Sequence, residues 1–479
     1  MFYENLNFIL PLLPEAFLTL CTFVALSAGV FSRVDLKKRN VNLSVWAGMA
    51  GAFVLSGLAY GNGETFLTAD GLFGSDGYTS FVKTVVYALS AVAMAFGAQW
   101  LKWKKYARFE YPVLMAFSVA GTGVALSSED FLPMFLGMEA AGMPLCFLTA
   151  YKRFGDRSTE AGAKFALVSL SGSAFLLFGI SVLYVCTGTT DFARIKATAE
   201  SLDFASVLPA LVFITAGFMI KAGAVPFHSW VPSVYEGMPT PVTAYAAFVM
   251  RFVVWSVFAK AVFYPLAFAQ AFWRPVFLIT AAAGVFVGAF GSVTQTNVKR
   301  LAAYTLIVSN GFILMSFGMA EPVSFLFFAL IDAVLAAGMF AVILSMRTAG
   351  VLSEKIDTLA GQGKAKPVRS ALYALIFLGM TGIPPFAGFW RRFFLFEAAV
   401  KKGDFWPCLF MMAGSFVLAY AYLKIIRSMY AGRAKAELSA VPLFLKLTLW
   451  VTAGVSLFLS FPVASVQQAV QQAVLFTGG

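Results

Sequence analysis

Residues 206–231, SVLPALVFITAGFMIKAGAVPFHSWV, decide the fold. The run is long enough to cross a hydrocarbon core, which takes roughly 17–25 apolar residues, yet it carries Lys221. Pro226 follows, and a proline removes a backbone donor and clashes with the preceding turn. The helix is therefore expected to break just beyond Lys221. Broken backbone at membrane depth survives only inside protein or beside water. The stretch thus predicts a membrane protein with a charged, hydrated interior.

The rest of the chain agrees. Of 479 residues, 60% are hydrophobic and 12% charged, and the mean hydropathy is +0.81. Soluble domains average roughly 45–50% apolar and about 25% charged, so lipid must be the main solvent. Spanning runs fall at about 8–30, 42–60, 79–101, 109–127, 131–151, 163–186, 206–231, 241–264, 273–295, 300–319, 323–346, 369–399, 405–429 and 443–466. The fold class is an all-α polytopic membrane protein of about fourteen transmembrane helices. The first run follows an acidic start and is read as a retained helix, not a signal peptide. A second interrupted helix reads Gly382-Ile383-Pro384-Pro385-Phe386-Ala387-Gly388, followed by Arg391 and Arg392. Paired interrupted helices point to an inverted-repeat ion translocator.

The net charge of +12 fits Lys and Arg gathered on cytoplasmic loops; no basic patch is interleaved with exposed aromatics, so nucleic acid is excluded as a partner. One set of connections carries Arg33, Lys37–Arg39, Lys102–Arg108, Lys152–Arg157, Lys299-Arg300, Lys355–Arg369 and Arg427–Lys435. The alternate set holds Glu64, Asp70, Asp76, Glu129, Asp130 and Glu321. This alternation predicts both termini on the outer face. Cys21, Cys146, Cys186 and Cys408 form no ligand motif, and His228 is the only histidine. Iron–sulfur, zinc and haem sites are unsupported, so no metal or cofactor is expected on this chain.

A charge at mid-membrane costs roughly 2.5–3.5 kcal/mol on insertion scales. Glu139, Lys164, Lys221, Arg251, Asp332, Arg391 and Arg392 all lie inside predicted spans and must face one another or water. Lys164 has the alternative of snorkelling to the cytoplasmic face. Arg391 could do the same or pair with Glu397, and Asp332 could be a locally paired structural acid. Glu139, Lys221 and Arg251 are too deep to snorkel cheaply. An acid and a base at similar depth hold each other charged, and separating them penalises both charges by desolvation, which is the physics of a proton relay. His228, after the break, could relay protons or tie loop backbone.

These residues fall in a recognisable pattern. Phe135–Glu139 with Pro144-Leu145, Glu160-Ala161, Lys164-Phe165, Lys221–Pro232, Tyr235–Thr243, Gln295–Leu301 with Tyr304, and Gly382–Pro385 with Gly388-Phe389 resemble the subunit N family of bacterial NADH-quinone oxidoreductase. That family is the counterpart of mitochondrial NADH dehydrogenase subunit 2, within the antiporter-like family of complex I. The resemblance runs from about 110 to 430. It implies a fourteen-helix fold with two inverted five-helix repeats in one integral membrane domain over 1–479. The N-terminal helices would occupy 1–108, the first repeat about 109–264, the second about 273–429, and a C-terminal helix 430–479.

The resemblance also implies a proton-translocating subunit of an NADH:quinone oxidoreductase in the bacterial inner membrane, both termini periplasmic. It would carry no redox centre, and its partners would be other membrane subunits of complex I and the lipid bilayer. Glu139 and Lys164 match the family's first charge pair, and Lys221 its broken-helix lysine. Arg251 and Arg392 stand where Lys is usual, and arginine is effectively never deprotonated. Ser309 stands where His is common; Asp332, where Tyr is common, is a candidate replacement carboxylate. The translocation residues are therefore Glu139, Lys164, Lys221, Arg251 and Arg392, with His228 and Asp332 as secondary candidates. The alternative is a subunit of a multi-subunit cation/proton antiporter or a membrane-bound hydrogenase; a non-pumping structural subunit is the third reading.

Overall fold

The structure, a computed structural model, describes residues 10–31, 34–62, 65–68, 70–104, 108–152, 155–198, 203–433 and 437–475. Arg33, Glu64, Lys105, Arg153 and Lys435, counted above among the loop charges, lie outside the described residues. The long helices are α1 (Leu13–Phe31), α2 (Val34–Asn62), α3 (Gly77–Lys104), α4 (Glu110–Ser127), α5 (Phe131–Thr149), α6 (Asp156–Thr187), α7 (Phe204–Ala222), α8 (Trp230–Gly237) and α9 (Thr240–Phe263). They continue as α10 (Gln270–Val293), α11 (Val298–Gly318), α12 (Pro322–Ser345), α13 (Pro367–Thr381), α14 (Ala387–Lys401), α15 (Phe405–Ala431), α16 (Leu443–Phe458) and α17 (Val463–Leu475).

Among the described residues, 11 helices are long and apolar enough to cross a membrane. The remaining predicted windows hold α4, the interrupted α13–α14 and α16. The last window is shorter than expected: α16 ends at Phe458, and the chain turns by 98° into α17. Pro462 lies in that turn, and α17 carries Gln467, Gln468, Gln471 and Gln472, too polar a set for hydrocarbon. Two long connections hold short antiparallel hairpins, Phe66–Leu67 with Gly74–Ser75 and Arg347–Thr348 with Val351–Leu352.

Two compact units are present. The first holds residues 1–222, 249–270 and 471–479; the second holds 223–248 and 271–470. In the first, α6 packs on α7, α4 on α5, α1 on α2, and the second half of α9 on α7, α4 and α3. The α6–α7 contact is backbone-close because Gly217 faces Leu176: a Cβ on Gly217 would sit 2.8 Å from the Leu176 nitrogen. Small residues allow such approach where lipid offers no hydrophobic drive. In the second unit, α12 packs against α11, α14 and α16, α13 against α15 and α16, and α8 against α11.

Burial sorts the helices. The windows of α9, α11 and α12 are 94%, 94% and 89% buried, whereas those of α1, α2 and α6 are 33%. Leu20, Phe23, Leu136, Phe147, Leu167 and Val185 are exposed, as a lipid-facing surface requires. Deep charges can therefore be carried by enclosed helices at far lower cost than by peripheral ones.

Candidate functional site

In the first unit the centre is a three-residue contact. Lys221, in the last turn of α7, donates to Glu139 Oε1 on α5 at 2.8 Å and to Ser173 Oγ on α6 at 2.8 Å. Ser173 donates to the same Glu139 oxygen at 2.5 Å. The Lys221 and Glu139 side chains are 7% and 18% exposed. The close α6–α7 packing brings Ser173 and Lys221 together. Pro144 in α5 lacks the N–H that would bind the carbonyl of Ala140, next to Glu139, and so leaves local backbone polarity beside the pair. One proton can pass between Nζ and Oε1 without any backbone movement, converting two charges into two neutral groups.

Lys164 is elsewhere. It sits nine residues before Ser173 on α6, half a circle round the helix at 3.6 residues per turn. Its ammonium pairs with Glu160 at 2.5 Å, with side chains 48% and 63% exposed. The structure thus brings Glu139 to Lys221, and Lys164 to its own helix neighbour. Arg251 is buried on α9, directly after a π-helical turn at Ala246–Met250; such turns inside helices are frequent at functional sites.

Both predicted breaks are present. α7 ends at Ala222, Gly223 takes φ +66°, Val225-Pro226 is cis, and α8 starts at Trp230. Within the second unit, Asn310 Nδ2 donates to the Gly223 carbonyl at 3.3 Å. His228 accepts from Val231 N through its carbonyl at 3.0 Å, and its Nδ1 is buried without a partner among the described residues. The motif after the break is held in place: Lys299 donates to the Glu236 and Met238 carbonyls at 2.8 and 2.7 Å, and Arg300 pairs with Glu236 at 3.1 Å. These basic residues clamp the Tyr235–Thr243 stretch.

The second break runs from Gly382, at φ +78°, through the cis Pro384-Pro385 bond. Arg392 donates to the carbonyls of Thr381 and Met380 at 2.5 and 3.1 Å, capping the negative end of α13, and its guanidinium lies 4.9 Å over the Phe312 ring. Arg391 pairs with Asp332, both side chains 0% exposed, and lies over Phe328. Ser309 donates to the same Asp332 oxygen at 2.7 Å. Glu397 pairs with Lys401 instead of Arg391.

Sequence reasoning passed over more buried charges: Glu15, Lys83 and Lys260 lie inside predicted spans and are 3%, 1% and 9% exposed. Their position in apolar runs was the available signal. Among the described residues no group of three or more His, Cys, Asp or Glu could hold a metal ion.

Residues 128–418 match the family model described as NADH:quinone oxidoreductase/Mrp antiporter, TM. The chain is 37% identical over 431 residues to NADH-quinone oxidoreductase subunit N of Paramagnetospirillum magneticum, covering 88% of each chain. It is 35% identical over 475 residues to the protein of the same name in Rhodospirillum rubrum, covering 97% of each. A chain of respiratory complex I from Thermus thermophilus superposes with a TM-score of 0.82 at 22% identity, covering 97% of this chain and 100% of that one; it shares the fold.

Proposed function

We propose, from the premise that the chain belongs to the NADH:quinone oxidoreductase/Mrp antiporter transmembrane family, a mechanism centred on its buried lysine–glutamate pair. The chain is a proton-translocating membrane subunit of NADH-quinone oxidoreductase, and its partners are the other membrane subunits of that complex. It is a multi-pass membrane protein. Our reading adds that it lies in the bacterial inner membrane with both termini on the periplasmic side, as the loop charges suggest, and that it carries no redox centre.

The observation that carries the mechanism is the Glu139–Ser173–Lys221 contact, an enclosed acid–base pair with a hydroxyl bridging it. Paired, both groups stay charged; when a field from a neighbouring subunit changes, desolvation favours the neutral pair, and the proton moves from Nζ to the carboxylate. Quinone reduction in other subunits supplies that field. The carboxylic acid then releases its proton on one side, and the amine reloads from the other. Arg251 and Arg392 act as fixed charges, since arginine does not release its proton at accessible pH. Lys164, exposed at one end of α6, serves as a collector and not as the partner of Glu139. His228 and Asp332 are outside the relay.

The test is NADH-driven proton pumping in membrane vesicles, wild type against Lys221→Ala at matched complex content. Loss of pumping is expected. Normal NADH oxidation with normal pumping would show the Lys221 charge to be structural and end the proton-path reading.

A further inference from the structure

A second set of buried charges in the first unit has no part in that mechanism. Lys260, in the last turn of α9, donates to Glu129 Oε1 at 2.7 Å, to the Leu126 carbonyl at 3.2 Å and to Thr79 Oγ1 at 3.5 Å. Beside it, Lys83 on α3 donates to Glu15 Oε1 at 2.8 Å and to the Pro11 carbonyl at 2.9 Å. Tyr87 donates to the same Glu15 oxygen at 2.8 Å. The two pairs meet at the end of α4, where Leu126 binds Lys260 and Ser127 Oγ donates to the Pro11 carbonyl at 3.5 Å. Glu15 Oε2 is buried with no partner among the described residues. A buried oxygen of this kind calls for a polar occupant, and water or a mobile proton would provide it.

The set is open at one end. Glu129 is 19% exposed against 7% for Lys260. It lies in the short connection before α5, its backbone bonded to Leu72 and Phe192 at 2.9 and 3.0 Å, with the Asp76 and Asp191 carboxylates within electrostatic reach. Burial raises the Glu129 carboxyl above its usual range, and Lys260 pulls it back, so the neutral acid is accessible there. The other end points inward. From Glu129 the chain enters α5 at Phe131, and Glu139 lies eight residues further along that helix, about 12 Å. On α9, Ser256 lies between Arg251 and Lys260; its hydroxyl is buried without a partner among the described residues, and its carbonyl accepts from Tyr78 at 2.9 Å.

We propose that Lys260 and Glu129, backed by Lys83 and Glu15, form a second proton-binding station that passes protons between the Glu139–Lys221 pair and the membrane face carrying Glu129. This rests on the translocation reading above. The station cycles as follows. The Lys260 ammonium gives its proton to the Glu129 carboxylate, leaving an amine and a carboxylic acid. The acid releases that proton to water at the face, and the amine takes the next one from within. No electron moves, and each turn carries one proton. The first unit thereby holds titratable groups from its enclosed centre to its surface. In the second unit, Arg391 and Arg392 occupy the enclosed break region and cannot hand protons on.

Lys260→Arg and Glu129→Gln separate the relay from a simple staple, because arginine keeps the charge but not the transfer. The readout is protons pumped per electron in reconstituted complex, at matched assembly, with Lys221→Ala alongside. The relay predicts that both variants lower this ratio as far as Lys221→Ala does. If both pump at the wild-type ratio while Lys221→Ala does not, the station is a structural staple and the proposal falls while the function stands. If Lys221→Ala also pumps normally, the translocation reading itself falls. Should Lys260→Arg fail to assemble, the near-isosteric Glu129→Gln decides between the same outcomes.

Discussion

Replacing Asp332 by Asn is expected to stop the second unit assembling, not to slow a working pump. The Asp332 carboxylate and the Arg391 side chain are both 0% exposed, and Ser309 completes the contact at 2.7 Å. Arg391 Nε and Nη2 have no hydrogen-bond partner among the described residues, so Asp332 offsets most of a charge removed from water. Removing one member of such a pair costs about 3–5 kcal/mol. At roughly 1.4 kcal/mol per factor of ten, that lowers the folded-to-unfolded ratio by a hundredfold to several thousandfold. The Phe328 ring against Arg391 contributes about 2 kcal/mol in wild type and variant alike, so it does not offset this loss. The assay is the yield of assembled complex at equal expression, with the thermal midpoint of the solubilised complex. Asp332→Asn should give little assembled complex, and Asp332→Asn with Arg391→Met should restore much of it, because the uncompensated charge is gone. Wild-type yield and midpoint for Asp332→Asn, with pumping lost, would refute this reasoning. That result would return Asp332 to the role of replacement carboxylate.

Lys164→Ala should leave assembly and thermal midpoint unchanged, because its partner is an exposed residue one turn away on the same helix; a drop in yield would contradict that placement. Gly388→Ala should destabilise the chain by about 1–3 kcal/mol, as overpacking does, since the added Cβ would collide with the backbone of Gly379 across the second break. Gly454→Ala, at a position facing open space, is the control, and equal thermal midpoints for the two variants would defeat the prediction.

Much of this architecture was legible because membrane folding imposes coarse rules. A spanning helix must be long and apolar, so the segments announced themselves. Pro226 and Pro384-Pro385, each close to a glycine, strongly disfavour a continuous helix, so both breaks were placed to within a few residues. Side-chain pairing was less legible, because it depends on helix rotation and on which helices touch. Lys164 lies nearer than Lys221 to Glu139 in the chain, and the motif resemblance joined Glu139 to Lys164. Rotation of α6 turns Lys164 away, and the backbone-close approach at Gly217 delivers Lys221 instead. Arg391 resisted prediction for the same reason: Glu397 was one of its sequence alternatives, but the structure pairs it with Asp332, and the packing of α12 on α14 is a fact of tertiary structure. Lys83 and Lys260 were visible as charges in apolar runs, and only their partners needed coordinates.

The chemistry of the enclosed cation differs between the Glu139–Lys221 pair and the second break. Lys221 and Lys260 each hold a carboxylate within 2.8 Å, and moving one proton turns either pair neutral. Such a pair has a charged and a neutral state related by one proton transfer, and burial penalises the charged one. An arginine–aspartate pair has one state, because the guanidinium keeps its proton; Arg391 with Asp332, and Arg392 on its helix end, therefore hold the second break at constant charge. In the proposed route, Arg392, where the resemblance expects lysine, closes transfer at the second break, and Arg251 stands as a fixed charge inside the first unit. Lys260, with an acid that reaches the surface, supplies the step that such a route needs.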